Sequence, residues 1–201
     1  MNMAIDETLL RNATQPILRF YGWRQPSLSF GYFGRFADVA TEASTRELVR
    51  RWTGGGIVLH GEDLTYSIIL PRGRAENIPS PQSVYRMIHG AIQKSLADHF
   101  VVSLADKADA KISEDCFANA VTADVLAEGR KIAGAAQRRT RAGLLHQGSI
   151  QYQKLPAAFP TAFAAALCAD FSTMTLAPDF IRQAQTLAGQ KYETREWLRR
   201  R

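Results

Sequence analysis

The chain has 201 residues, of which 46% are hydrophobic and 22% are charged, a balance that is ordinary for a globular domain with a buried core. No apolar run approaches the roughly 20 residues that span a bilayer. The first residues include Asp6 and Glu7, where a signal peptide would be basic. Composition therefore argues against a membrane protein and against an exported one, and we expect a cytoplasmic protein with no membrane partner.

The net charge of +6 suits an acidic partner, either nucleic acid or an acidic protein. No helix-turn-helix, zinc-finger or RNA-recognition signature accompanies this charge. We therefore expect an acidic protein partner and no nucleic acid. The three arginines at 199–201 are typical of a solvated helix end or tail.

The first predicted element is a short amphipathic helix over 2–12, with Asn2 as its cap. The clearest helix covers 81–99 and begins at Ser80-Pro81. Six of its apolar residues recur at helical spacing and should face the core: Val84, Met87, Ile88, Ala91, Ile92 and Leu96. Between these helices, alternating apolar residues and turn signals predict strands at 17–23, 28–33, 47–52, 57–60 and 64–70, with a helical turn at 40–44.

The second half begins with a strand at 100–104 and a polar loop at 106–113. A strand meander follows at 123–127, 131–138 and 144–152, with a turn at Glu128-Gly129. Two closing helices are predicted at 159–170 and 179–191. This order predicts a single α+β domain over 1–201, with a mixed, mostly antiparallel sheet flanked by helices.

The most informative segment is the run Arg50-Arg51-Trp52-Thr53-Gly54-Gly55-Gly56. Three consecutive glycines between two strands are costly for stability, because glycine loses the most backbone freedom on folding. One interpretation is a wide hairpin turn or bulge. The other is that a ligand carboxyl or phosphate approaches the backbone amides while Arg51 supplies a cationic donor. The spacing fits neither a P-loop nor a dinucleotide-binding fingerprint.

Several motifs, taken together, resemble the lipoate–protein ligase and octanoyltransferase superfamily. The glycine run with His60 precedes Leu64-Thr65-Tyr66-Ser67, and the segments at 2–10, 26–31, 129–138 and 145–149 follow the family order. The resemblance implies the catalytic domain shared with biotin ligases and class II synthetases. It also implies a short strand before the opening helix, which this chain is expected to lack. The biotin-ligase loop GRGRxGR is absent, so biotin is not the expected substrate.

Lys131 lies in a predicted strand beside small residues. A strand lysine commonly faces solvent, whereas the small neighbours favour a tight cavity wall. The resemblance places the lysine that binds the acyl carbonyl at Lys131. It further implies that the substrate is bound by Arg51, Thr53, Gly54, Gly55, Gly56, Ile57, Val58, His60, Gly134, Ala135 and His146.

The two cysteines, Cys116 and Cys168, lie outside any metal-ligand spacing, and we expect no metal site. Cys168 follows an apolar helical run and is predicted to be a buried small hydrophobe. Cys116 lies in a polar loop and resembles the acyl-accepting cysteine of LipM-type octanoyltransferases. The ammonium of Lys131 would favour its thiolate.

The resemblance implies transfer of an octanoyl or lipoyl group from acyl carrier protein to a lysine of a lipoyl domain or of the glycine-cleavage H protein. The acyl group would pass through Cys116, and no cofactor would be needed. One alternative is an ATP-dependent lipoate–protein ligase, which would use ATP and Mg²⁺. Another is an inactive paralogue that only binds lipoyl domains.

Overall fold

A computed structural model describes residues 1–72, 79–108 and 117–200. In chain order its strands are β1 (Ile17–Tyr21), β2 (Ser27–Phe30), β3 (Glu47–Arg50), β4 (Val58–His60), β5 (Leu64–Pro71), β6 (Val102–Leu104), β7 (Val125–Ala127), β8 (Arg130–Thr140) and β9 (Gly143–Ile150). The α-helices are α1 (Asn2–Asn12), α2 (Pro81–Leu96), α3 (Phe159–Leu167), α4 (Pro178–Leu187) and α5 (Arg195–Leu198). Short 3₁₀ segments cover Phe36–Asp38 and Ala40–Ser44, and a π-helical turn covers Ala188–Tyr192.

Within these ranges the strands form two sheets. The larger sheet has the order β1-β5-β9-β8-β7-β6, and all its pairs are antiparallel. The smaller sheet has the order β3-β2-β4, in which β2 pairs parallel with β3 and antiparallel with β4. The predicted α+β class, with a mixed and mostly antiparallel sheet flanked by helices, is confirmed.

Helices cover both faces of the larger sheet because its strands alternate apolar side chains between two cores. On one face α2 and α3 pack on Tyr66, Ile132 and Leu144. On the other face α1 and α4 pack on Ile69 and Leu145. Neighbouring residues of one strand point to opposite faces, so each strand residue belongs to one of these two environments.

The helix α2 ends earlier and buries less than predicted. Ser80 caps it by accepting a hydrogen bond from the amide of Ser83, and Pro81 occupies its first turn, a position that tolerates proline because the amide there needs no helical partner. Of the six residues predicted to face the core, five are buried, but Met87 is 54% exposed. The expectation for Met87 was wrong, because it lies at the solvent edge of the apolar stripe.

Two further expectations were wrong. Asn2 is the first residue of α1 rather than its cap, and its side chain instead accepts from Arg19 and donates to the carbonyl of Gly22. Cys168 is exposed and its thiol is free, because α3 ends at Leu167 and the chain leaves it in an extended conformation. The predicted loop at 106–113 lies partly outside the described residues. In the part of the chain that the structure describes, no helix has the length and apolar character to cross a bilayer.

Candidate active site

A cavity of about 560 Å³ lies between the smaller sheet and one face of the larger sheet, within the usual range for small-molecule sites. Its walls come from α1, β2, the glycine run, β8 and β9, and most of the lining is apolar. Nine of the residues predicted to act on substrate line it: Arg51, Gly55, Gly56, Ile57, Val58, His60, Lys131, Gly134 and Ala135. The structure therefore gathers most of the predicted site around one space.

Lys131 is held at the wall of this cavity by an ion pair, a hydrogen bond and a cation–π contact. Its ammonium Nζ lies 2.7 Å from Oδ2 of Asp124 and donates to the carbonyl of Asn119 at 3.1 Å. The ring centroid of Phe117 lies 5.3 Å from Nζ, which is cation–π distance. The side chain is only 7% exposed, so the ammonium is fixed rather than free in solvent.

Two features of β8 aim Lys131 at this position. Leu126 of β7 pairs with Lys131, but the preceding residue Val125 pairs with Ala133, so Ile132 is the extra residue of a β-bulge. Bulges of this kind change the direction of nearby side chains and are common beside functional sites. At Gly134, an added Cβ would lie 2.8 Å from Cε of Lys131. The lysine stem therefore occupies the space that a side chain at position 134 would fill.

The glycine run folds as a loop with its carbonyls turned inward. Gly55 adopts a φ of +83°, which favours glycine. Arg51 donates to the carbonyls of Gly54 at 3.1 Å and Gly56 at 2.8 Å, and it is 7% exposed. Arg51 lines the cavity, but these contacts show that its guanidinium shapes the loop, a role that the sequence did not predict.

A chain of buried hydrogen bonds supports Arg51. Nη1 of Arg51 donates to Oγ of Ser29 at 2.7 Å, Ser29 lies 2.6 Å from Nε2 of His60, and Nδ1 of His60 lies 2.8 Å from Oδ2 of Asp63. Burial lowers the pKa of His60. A neutral ring would donate from Nδ1 to the carboxylate and accept from Ser29 at Nε2.

This order of groups is that of a Ser-His-Asp triad, but the surroundings argue against a nucleophilic serine. Ser29 is fully buried in β2 and already accepts a hydrogen bond from Arg51. Burial would raise the pKa of Asp63, but hydrogen bonds from His60, Ser149 and Thr65 lower it overall. This series of hydrogen bonds is therefore a structural network that fixes the glycine loop, with His60 at its centre.

Three of the predicted substrate-binding residues do not line the cavity. Thr53 is buried and donates to Oε1 of Gln147 at 2.8 Å, and Gly54 lies in the loop beside it. His146, which was predicted to contact substrate, is not part of the cavity lining. It lies behind the lining residue Tyr85, on the face of the larger sheet that α2 covers, with Nε2 3.3 Å from the hydroxyl of Tyr66. Burial lowers its pKa well below the ordinary value.

Cys116 lies outside the described residues. The next residue in the chain is Phe117, which lines the cavity and contacts Lys131. Among residues 1–72, 79–108 and 117–200, no group of three or more His, Cys, Asp or Glu side chains has the geometry to hold a metal ion.

The sequence reasoning missed several residues of the site. Asp124, Tyr85, Ser29 and Gln147 were not singled out, yet the last three line the cavity and Asp124 binds Lys131. A signal existed for Asp124, because it is a lone carboxylate in the otherwise uncharged segment 117–127 that leads towards Lys131. No comparable signal marked Tyr85, which belongs to the polar edge of a helix.

Solved structures of similar fold place the chain in a class. Lipoate-protein ligase A bound with ATP has a TM-score of 0.73 and 23% identity, covering 98% of this chain and 92% of that one. The T. acidophilum protein Ta0514 with bound lipoic acid has a TM-score of 0.77 and 22% identity, covering 98% and 91%. The fold is that of a lipoate-ligase-type catalytic domain.

The family follows from the sequence. Residues 1–167 match the model of the lipoyl protein ligase A/B catalytic domain, and the chain belongs to this family. Octanoyltransferase LipM of Staphylococcus aureus (strain NCTC 8325) is 36% identical over 167 residues, which is 74% of this chain and 60% of that protein. The chain thus spans about 60% of the length of the curated relatives it matches.

Proposed function

We propose that the chain is an octanoyltransferase, which moves an octanoyl or lipoyl group from acyl carrier protein to a lysine of a lipoyl domain or of the glycine-cleavage H protein. The observation that carries this proposal is Lys131. Its ammonium is fixed by a buried carboxylate at the wall of a mostly apolar cavity of about 560 Å³. Such a cavity has room for a medium-length acyl chain, and a fixed cation at its wall suits an acyl carbonyl.

In the first step, the thiolate of Cys116 attacks the thioester carbonyl carbon of the acyl carrier protein. The bond from that carbon to the carrier's sulfur breaks, the carrier leaves as a thiolate, and a thioester forms on Cys116. The ammonium of Lys131 stabilises the attacking thiolate and then the oxyanion of the tetrahedral intermediate. The placement of Phe117 beside Lys131 supports this assignment, because Cys116 directly precedes Phe117.

In the second step, the neutral ε-amine of the acceptor lysine attacks the carbonyl carbon of the Cys116 thioester. The carbon–sulfur bond breaks, Cys116 leaves as a thiolate, and the nitrogen loses a proton to the solvent to give a stable amide. The thioester of the acyl carrier protein is exchanged for a thioester on Cys116, and aminolysis then consumes the second thioester. Because the acyl group is already activated as a thioester, ATP is not needed. The net charge of +6 favours encounter with acidic carrier and acceptor proteins, which the enzyme would meet in the cytoplasm.

The alternative is ATP-dependent ligation, which the similarity in fold to an ATP-bound ligase favours. In that reaction, lipoate would be adenylated in the same cavity and Cys116 would form no covalent intermediate. An inactive paralogue that only binds lipoyl domains would do neither.

The three functions separate in one experiment. The protein is incubated with octanoyl-acyl carrier protein in the absence of ATP and examined by mass spectrometry for an octanoyl adduct. Cys168→Ala is the matched control, because Cys168 is an exposed free cysteine at the end of α3 and is not part of the cavity lining. The proposal expects an adduct in wild type and Cys168→Ala, and none in Cys116→Ala.

Each contrary result has a definite meaning. Lipoate transfer that requires ATP and survives Cys116→Ala would support the ligase. Absence of both reactions, with binding to a lipoyl domain retained, would support the inactive paralogue. An adduct that persists in Cys116→Ala and disappears in Cys168→Ala would refute the assignment of the nucleophile.

A further inference from the structure

We propose that Tyr85 and Asp124 are positioning residues that hold the ammonium of Lys131 in place, with Tyr85 acting through Asp124. The inference rests on the proposed function in one respect, namely that Lys131 acts on the acyl group. It adds two residues, from α2 and from the segment before β7, that the sequence motifs did not indicate.

The carboxylate of Asp124 is oriented by contacts on both of its oxygens. Oδ2 is 2.7 Å from Nζ of Lys131 and accepts from the amide of Val121 at 2.7 Å. Oδ1 accepts from the hydroxyl of Tyr85. The side chain of Asp124 is fully buried, where an unpaired charge is costly. Lys131 and Asp124 therefore neutralise each other as a buried ion pair, and the hydrogen bond from Tyr85 fixes the rotation of the carboxylate.

Tyr85 is itself fixed from the other side. Its hydroxyl accepts from the amide of Ala135 at 3.1 Å, so a single oxygen joins β8 to Asp124. Burial and then the negative charge of Asp124 raise the pKa of the Tyr85 hydroxyl well above its ordinary value, which keeps the proton available for donation. Because Ala135 lies on the same strand as Lys131, the hydroxyl ties the carboxylate to the strand that carries the lysine.

The backbone beside Asp124 shows that this placement is imposed. Ala123 has a φ of +70°, a conformation that residues with a Cβ rarely adopt and that is held only where the surroundings require it. Its amide donates to the carbonyl of Ala105 at 2.7 Å, and its carbonyl lies 2.7 Å from Nδ1 of His89 on α2. The hydrogen bonds on both sides of Ala123 hold this strained conformation, and it fixes the direction in which Asp124 leaves the backbone.

The test combines an activity-independent measurement with a kinetic one. In the first, lysines are acetylated with an amine-reactive ester, and the rates at Lys131 and at the exposed Lys154 are followed by mass spectrometry. The proposal expects Tyr85→Phe and Asp124→Asn to raise the rate at Lys131 about tenfold, the effect of losing a hydrogen bond to a charged group. Lys154 should not change. Tyr152→Phe, at a tyrosine that packs on Phe100, is the matched control.

In the second measurement, Tyr85→Phe is made alone and together with Lys131→Met. Alone, it should lower kcat about tenfold or more with little change in KM for the acyl donor. In the Lys131→Met background it should have no further effect, because a residue that acts only through Lys131 has nothing left to position. A merely structural role would lower kcat equally in both backgrounds.

The outcomes keep the inference and the proposed function apart. If wild type has no transferase activity, or if Lys131→Met is as active as wild type, the proposed function fails, and the acetylation rates still decide whether Tyr85 and Asp124 hold the ammonium. If the rate at Lys131 is unchanged in both single variants, or if the kinetic effects are additive, the positioning role is refuted. Unfolding midpoints of all variants identify any that are not folded, and for these Asp124→Glu supplies a second variant that retains the charge.

Discussion

Gly134→Ala should impair catalysis while leaving the fold almost unaffected. A Cβ at this position would lie 2.8 Å from Cε and 3.1 Å from Nζ of Lys131. Ordinary van der Waals contact begins at 3.4 Å, so Cε has to move by about 0.6 Å. The atoms that must move belong to the far end of a flexible side chain, and the ion pair between Lys131 and Asp124 is what would be disturbed.

The expected change in stability is small, whereas the expected loss of transfer rate is large. Alanine in a strand gains about 0.5–1 kcal/mol over glycine, and a displaced lysine rotamer costs a similar amount. The free energy of unfolding should therefore change by less than about 1 kcal/mol. Since a misplacement of about 1 Å at a reacting group can cost on the order of 100-fold in rate, we expect a loss of about 10- to 100-fold in transfer of octanoyl groups.

The assay is transfer from octanoyl-acyl carrier protein, with urea unfolding measured in parallel. Gly189→Ala is the control, because a Cβ at Gly189 meets no atom within 4 Å; it should change neither quantity beyond the helix preference for alanine. A Gly134→Ala enzyme that is as stable and as fast as wild type would refute the reasoning, since the position of the Lys131 ammonium would then not matter for the reaction.

Three further predictions concern the scaffold. Burial lowers the pKa of His89 to about 4. The stability that its neutral ring contributes, about 3 kcal/mol, should therefore be present above pH 6.5 and lost as the pH falls towards 4. Urea unfolding of His89→Asn should show a smaller loss of stability over the same pH range. Gly31→Ala should destabilise by about 1–3 kcal/mol, because the new Cβ would overlap the backbone carbonyl of Gly55, which cannot swing away; thermal melting checks this, and an unchanged midpoint would contradict it. Glu7→Gln should cost about 3 kcal/mol, since buried Glu7 is the partner of Lys191, and a cost below about 0.5 kcal/mol in urea unfolding would show that the pair is not effectively buried.

Local sequence patterns predicted the elements of this fold well where one face of an element is buried. The bounds of α1 were correct, and the start of α2 was correct because Ser80 caps it. Its end was placed too late, and Met87 was wrongly expected to be buried, because the width of an apolar stripe depends on what packs against it. The cap was wrongly assigned to Asn2, since that side chain forms tertiary contacts with Arg19 and Gly22.

The site was harder to predict because it depends on which face of a strand each residue occupies. His146 and Gln147 are neighbours in β9, and only Gln147 faces the cavity. The sequence motif predicted the strand but not which of its residues face the cavity. Tyr85 is brought to Asp124 and to the strand of Lys131 by contacts between elements that are distant in sequence, for which a single sequence carries no signal, whereas Asp124 was marked only as a lone carboxylate near the lysine. The lysine and the glycine loop were indicated by motif, while their supporting contacts were visible only in three dimensions.

The buried guanidinium of Arg50 limits how far the domain can be trimmed. It donates to the carbonyls of Leu198 and Arg200, and Trp197 donates back to the carbonyl of Arg50. The family match ends at residue 167, so a minimal version cut there would remove all three partners and expose the strand that leads directly into the glycine loop. Engineering of this protein should therefore treat the last helical turn as internal support for the cavity wall and place fusion tags with that in mind.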